Sequence, residues 1–411
     1  MSTDEPSGAA SLPDPEHLFD VVVIGAGQAG LAGAHGLVRA GLRAGSDFLV
    51  LDGNEGPGGA WRHRWDSLTL GRAHGIADLP GSELGEPDPE VPASRVVADY
   101  YGRYEHDFSL AVVRPARVNA VVSDTAEERS GPLRIEFDLR GEPTSVRTRY
   151  VLNATGTWTR PFVPYIRGID SFEGRQLHTV GYRRAEDFAG RRTLVVGGGL
   201  SAVQFLLELG PVTETLWTTR RPPNFSPVAF NTQWGRDVEA AVRERTEAGQ
   251  NPASVVRTTG IPQLPEYMRA VEDRILVSRG MIDEIHPSGV HFPGAAEAQA
   301  QAAALPGGAG GLGPSAAREL QVPESWQPFP QPRFEEVDVI FWNTGFRAAL
   351  DHLAPLELRE PGGGITVRNE VEVVVDSRVL LVGCGSSAST IGATRAGRRA
   401  SRVALKRLGL R

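Results

Sequence analysis

Gly25, Gly27 and Gly30 in "FDVVVIGAGQAGLAGAHGLVRAG" carry the spacing GxGxxG. In that pattern the first glycine permits a tight turn, the second lets backbone approach a pyrophosphate, and the third lets a helix pack closely on a strand. The chemistry implied is capture of an anion at a helix N-terminus. Asp52 ends the next apolar run, where a carboxylate accepts hydrogen bonds from a ribose 2′-hydroxyl. A second stretch, "RRTLVVGGGLSAVQFLLELG", repeats the pattern as GxGxxA through Gly197, Gly199 and Ala202, with Ser201 in the first helical turn. Its following strand ends on Arg220 and Arg221. Guanidinium groups pair with a 2′-phosphate that a carboxylate would repel. The first site is therefore expected to take a dinucleotide with a free ribose, and the second NADP(H). Together they suggest FAD and NADPH, with hydride passing from nicotinamide to flavin.

Glycine spacing alone is weak evidence, because 48 of the 411 residues are glycine. Gly308, Gly310 and Gly313 fit GxGxxG too, but "QAAALP" before them is no strand and Pro314 stops any helix after them. The first two matches are distinguished by their elements. Residues 19–24 read as a buried strand, 28–39 as a helix and 47–52 as the next strand, and the same grammar recurs at 193–196, 200–209 and 214–219. Strand, turn, helix and strand make a βαβ unit with a parallel sheet. "LRIEFDLR" and "SVRTRYVLNATG" read as antiparallel strands returning to the first sheet, while "VDVIFWNTGF" and "SRVLLVGCGSSAST" read as later strands, the last followed by a basic helix.

The fold class expected is α/β, with two Rossmann-like dinucleotide-binding domains, the NADPH domain inserted into the FAD domain. Residues 1–17, acidic and Pro-rich, form a disordered leader; 18–160 and 331–411 form the FAD domain; 161–330 form the NADPH domain. Residues 294–317 are a low-complexity Ala/Gly/Gln insertion, expected as a mobile surface loop with room for a short Ala-rich helix. The formal charge of −7 argues against nucleic acid as a partner. Cys384 is the only cysteine, which excludes an internal disulfide, a Cys-rich zinc site and a CxxC redox pair. With no signal-like leader and no long apolar run, a cytoplasmic protein without membrane contact is expected.

Several stretches resemble the flavin-containing monooxygenases, the class B flavoprotein monooxygenases. "GPGGAWRHRWDSLTL" is similar to the family's GG-x-W segment beside the flavin, and "FEGRQLHTVGY" to its fingerprint FxGxxxHxxxY through Phe172, Gly174, His178 and Tyr182. "NATGTWTRP" resembles the family's ATG motif and "FWNTGF" its FATGY. The resemblance implies that NADPH reduces FAD and that reduced flavin adds O2 to give a C4a-(hydro)peroxyflavin. A small nitrogen- or sulfur-containing substrate then takes one oxygen atom. It places Gly59, Trp61, Leu70, Val118, Thr155, Gly156 and Gly383 at the flavin.

His178 is either a structural linker residue or a coupler of the domains, and stands with Arg72 as a candidate catalytic group. Where many members carry an Asn after the "WDSLTL" segment, this chain has Gly71, leaving Arg72 or His74 as the substitute donor. Disulfide reductases share the two-nucleotide plan but need two cysteines. Baeyer-Villiger monooxygenases, N-hydroxylating monooxygenases and an NADPH oxidase or sensor without a dedicated substrate remain alternatives.

Overall fold

The computed structural model describes residues 16–73, 75–124, 129–226, 260–305 and 321–410. Most of the leader, His74 and the second half of the low-complexity insertion lie outside those residues. The chain divides into two compact units, one ending at Thr159 and resuming at Ala348, the other running between them.

In the first unit, β1 (Leu18–Ile24), α1 (Gln28–Arg39) and β2 (Phe48–Leu51) form the expected βαβ arrangement, with β1 and β2 parallel. After α2 (Ala93–Asp107), a two-residue strand β3 (Val112–Val113) continues the sheet beside β2. A meander of β4 (Ala116–Ser123), β5 (Leu133–Leu139) and β6 (Glu142–Asn153) follows. β6 does two jobs along its length: it pairs antiparallel with β5 and parallel with β1. The antiparallel insertion thus returns to the first sheet as its sequence pattern predicts.

The second unit holds a parallel sheet of β7 (Arg175–His178), β8 (Thr193–Val196), β9 (Thr215–Thr218) and β15 (Val339–Trp342), in the order β7-β15-β8-β9. Helix α3 (Leu200–Leu209) connects β8 to β9. Between β9 and β15 come a short parallel pair, β10 (Phe225–Ser226) and β11 (Ile261–Pro262), and an antiparallel sheet of β12 (Glu284–His286), β13 (Gly289–Phe292) and β14 (Arg333–Glu336). Fully buried β15 sits between β7 and β8, so the chain returns to the first unit at 348 and not at 331. An apolar run shows that a strand is buried, but not which sheet receives it.

The last part completes the first unit. β16 (Val367–Arg368) and β17 (Glu372–Val373) lead to β18 (Val379–Leu381), which lies parallel to β6. The basic helix Thr390–Arg407 packs on α1 through small residues: a Cβ on Gly36 would stand 2.1 Å from Ser401 Oγ, and one on Gly397 2.2 Å from the Ala29 carbonyl. The described part of the low-complexity insertion holds the short Ala-rich helix its composition allows. Ala295–Ala304 form a helix whose Ala298 and Ala302 are buried, with Ala298 against Gly280.

Candidate functional site

The first glycine turn is tight in the way its spacing requires. Gly25 has φ +100°, and a Cβ there would stand 2.6 Å from the Ala154 carbonyl oxygen; a Cβ on Gly30 would stand 1.8 Å from the Gly25 carbonyl. Gly27 differs, since a Cβ would meet no protein atom within 4 Å. Its backbone faces open space at the start of α1, whose N-terminus has no side-chain cap and no acid in its first turn. The terminal helix Thr390–Arg407, by contrast, is capped by its own Ser389, which accepts from Gly392 N at 2.9 Å. An uncapped N-terminus with an open glycine fits a pyrophosphate.

Segments far apart in sequence meet at this turn. Gly59, of the GG-x-W stretch, packs so closely that its Cβ would be 2.9 Å from Gly27 Cα. Thr155 and Gly156 follow the Ala154 carbonyl; Thr155 Oγ1 donates to Ala349 O at 2.7 Å, and Gly383 approaches both Ala29 and Ala154. Trp61 is partly buried against the same core, and Leu70 is held by its N–H on Val91 O at 2.9 Å. Val118, on β4, instead packs against the cluster on the other face of the sheet.

Asp52 follows β2 and is only 5% exposed. It belongs to a buried ion network not foreseen from the sequence: Arg114 donates from Nε to Asp52 Oδ2 at 2.8 Å and from its terminal nitrogens to both oxygens of Glu105 at 2.6 and 2.7 Å. Burial pushes the Glu105 carboxyl up in pKa, against the pull of Arg114. One guanidinium thus holds two carboxylates, and Asp52 Oδ1 accepts from Asn54 Nδ2 at 3.2 Å.

Gln28 was also missed. Its side chain donates to Ala77 O and Thr394 Oγ1, both at 2.8 Å, and accepts from Tyr101, fixing the first residue of α1. None of these partners is close in sequence, so no spacing signal could have revealed them.

The second turn repeats the design. Gly197 closes against the Asn343 carbonyl, which a Cβ would approach to 2.2 Å, and α3 starts after Gly199 without a side-chain cap. Ser201 is exposed and Ala202 fully buried. The two arginines after β9 part company: Arg220 is exposed, whereas Arg221 is 8% exposed with its backbone carbonyl accepting from Thr219 Oγ1. Of the two, only Arg220 is presented to solvent.

The fingerprint residues are largely structural. Tyr182 is buried among Phe188, Phe205 and Phe341, and its hydroxyl donates to Glu208 Oε1 at 2.7 Å. His178 ends β7; its Nε2 faces the Gly345 carbonyl at 3.1 Å, its ring packs on Phe346, and burial lowers its pKa. Because Nε2 faces an acceptor it carries the proton, leaving Nδ1 buried and, among the described residues, without a hydrogen-bond partner. Arg72 is exposed on the turn Leu70–Arg72. Cys384 has its thiol pushed up to about 11 by burial, which makes it a poor nucleophile at neutral pH. Among the described residues no cluster of His, Cys, Asp or Glu could hold a metal, and no helix is long and apolar enough to cross a membrane.

Two βαβ units, each with an uncapped glycine turn, define an α/β fold of the two-dinucleotide-binding-domain class. The sequence profile of the pyridine nucleotide-disulphide oxidoreductases matches residues 22–255. The structure of the flavin-containing monooxygenase of Stenotrophomonas maltophilia is similar over 95% of this chain and 99% of its own, with 29% identity and a TM-score of 0.69. A double-substituted form of that enzyme is 30% identical over 94% of this chain and 97% of its own, also at 0.69. Among curated relatives, an uncharacterised oxidoreductase of Bacillus velezensis is 27% identical over 51% of this chain and 57% of its own. A probable indole-3-pyruvate monooxygenase of Arabidopsis thaliana is 32% identical over 46% and 44%. The match thus spans about half the length of these curated relatives. The chain belongs to the pyridine nucleotide-disulphide oxidoreductase family and, within it, to the flavin-containing monooxygenases.

Proposed function

We propose that this protein is an FAD- and NADPH-dependent monooxygenase that transfers one oxygen atom of O2 to a small nucleophilic substrate containing nitrogen or sulfur. The observation carrying this reading is the convergence of Gly25, Gly27, Gly59 and the Ala154 carbonyl on the uncapped start of α1. FAD would be held there by backbone N–H groups of α1 and by Asp52, and NADPH by the Gly197 turn and Arg220. When bound, the flavin supplies the oxygen activation; the protein binds, orients and excludes water.

Arg114 neutralises the buried acids around Asp52, and Gln28 with Tyr101 fixes the N–H groups of the first turn in place. His178 orients the 343–346 segment through Gly345 and acts as a positioning residue. The single cysteine supports oxygen, not a thiol pair, as the electron acceptor.

The test is turnover of purified holoprotein with NADPH and a panel of amines, sulfides, indoles, ketones and aromatic 2-oxo acids, the last chosen from the name of the plant relative. Oxygenated product in proportion to NADPH consumed is expected. Hydrogen peroxide in full proportion, with no substrate raising turnover, favours the oxidase reading. The observation behind that alternative is Gly71, which stands in place of the expected Asn and is backed closely by Pro89: a Cβ would lie 3.1 Å from Pro89 Cβ.

A further inference from the structure

Among the described residues Arg64 is a cation without a counter-ion. Its guanidinium lies 4.0 Å from the ring centre of Trp158, 5.8 Å from that of Trp61 and 6.0 Å from that of Trp65. Among the described residues its side chain makes neither a hydrogen bond nor an ion pair, and Nε is sealed from solvent without a partner. Only Nε is sealed in this way; the two terminal nitrogens, equally unpartnered, retain access to solvent. Burial brings the pKa down to about 10, so the group is still charged at neutral pH.

Other enclosed arginines of this unit are matched to acids: Arg114 to Asp52 and Glu105, and Arg378 to Asp376 at 2.6 Å. Tryptophan faces attract a cation, but they do not satisfy its N–H donors, so the two terminal nitrogens of this partly buried guanidinium, which reach solvent, are free to take a partner from outside the protein. The placement is informative as well. Trp61 and Arg64 follow Gly59, which touches the first glycine turn, and Trp158 follows Gly156, on the segment that closes the same turn.

We propose that Arg64 is the anchor for a carboxylate, and hence that the substrate class of this site is a small organic acid with a flat aromatic body. A guanidinium offers two parallel N–H donors that match a carboxylate in one plane, and surrounding indole faces suit an aromatic ring beside it. The inference rests on the monooxygenase reading for what happens to the ligand, but not for its binding.

The test is therefore a binding measurement on the FAD-loaded protein without NADPH. Tryptophan fluorescence and the flavin absorption spectrum are followed while benzoate or indole-3-acetate is added, with benzamide and indole-3-acetamide as neutral controls. Saturable binding of the acids, at least tenfold tighter than that of the amides, is expected. Arg64→Gln should weaken acid binding about tenfold or more and leave the amides unchanged; Arg64→Lys, which keeps the charge but loses the fork, should fall between. Equal binding of acids and amides by the unsubstituted protein overturns the proposal, and this arm needs no variant to fold. Loss of FAD from Arg64→Gln with acid binding intact also overturns it, because the charge would then serve the cofactor. Acid binding that depends on Arg64, together with peroxide as the sole product, leaves this inference standing and removes the monooxygenase reading instead.

Discussion

In the first unit the carbonyl that closes on the glycine turn comes from Ala154, within Asn153-Ala154-Thr155-Gly156. In the second it comes from Asn343, followed by Thr344 and Gly345. β6 lies beside β1 as β15 lies beside β8, and a Thr-Gly pair follows shortly after each strand. The two sites share their backbone framework, then diverge at the end of the following strand. Asp52 is buried in an ion network after β2, whereas Arg220 stands exposed after β9. On the proposed function, anion capture would be a property of the turn, and discrimination between ribose and phosphorylated ribose a property of the strand end.

The largest effect expected from disturbing this comparison is at Arg114. Arg114→Met leaves Asp52 and Glu105 buried without their cation, and a loss of about 3–5 kcal/mol in unfolding free energy is expected by denaturant titration. Arg220 stands exposed after β9, so Arg220→Met should leave stability within about 0.5 kcal/mol. Equal losses for the two variants would remove the distinction between a built ion network and a solvent-facing contact.

Within the first turn, Gly30→Ala and Gly27→Ala should separate folding from binding. The Cβ at 30 collides with the Gly25 carbonyl, so that variant should lose several kcal/mol, on the order of other overpacking changes. At 27 there is open space, so the melting temperature of the FAD-free protein should hold while FAD affinity falls. Retention of FAD by Gly27→Ala would show that the pyrophosphate does not approach this backbone.

His352 sharpens the comparison on the pH axis. It lies buried in the first unit with Nε2 donating to Asn153 Oδ1 at 2.6 Å, and burial holds its pKa down to about 4. The unfolded chain therefore binds a proton that the folded chain refuses between pH 6.5 and 4. Stability from this group is fully present above pH 6.5 and is lost as pH falls through 4, a change of up to about 3 kcal/mol. His352→Gln, which can donate to Asn153 without titrating, should flatten that portion of the urea-denaturation pH profile.

At the strand ends the expected effects are of similar size but appear in binding. Asp52→Asn should weaken FAD retention by about 1.5–3 kcal/mol, and Arg220→Ala should raise the KM for NADPH about tenfold or more while leaving NADH nearly unchanged. Equal use of both coenzymes by the unsubstituted protein would sink the assignment of Arg220. Arg221, buried as it is, should report on stability and not on coenzyme choice.

Sequence by itself determined the parts that depend on neighbours along the chain. A βαβ unit is local, and α1 and α3 have the bounds that spacing and apolar runs imply, because turn glycines and helix periodicity act over a few residues. The same locality made the acid and the arginine at the two strand ends readable. Tertiary structure decided which sheet receives β15, since an apolar strand carries no address and pairing is chosen by partners 146 and 164 residues away. It also decided that Arg114 clasps Asp52, that Arg221 turns inward while Arg220 does not, and that Arg64 lies among three tryptophans. Charges of the same residue type look alike in a sequence; only folding assigns each one its neighbours, and the cost of burial then depends on whether those neighbours are acids, rings or solvent.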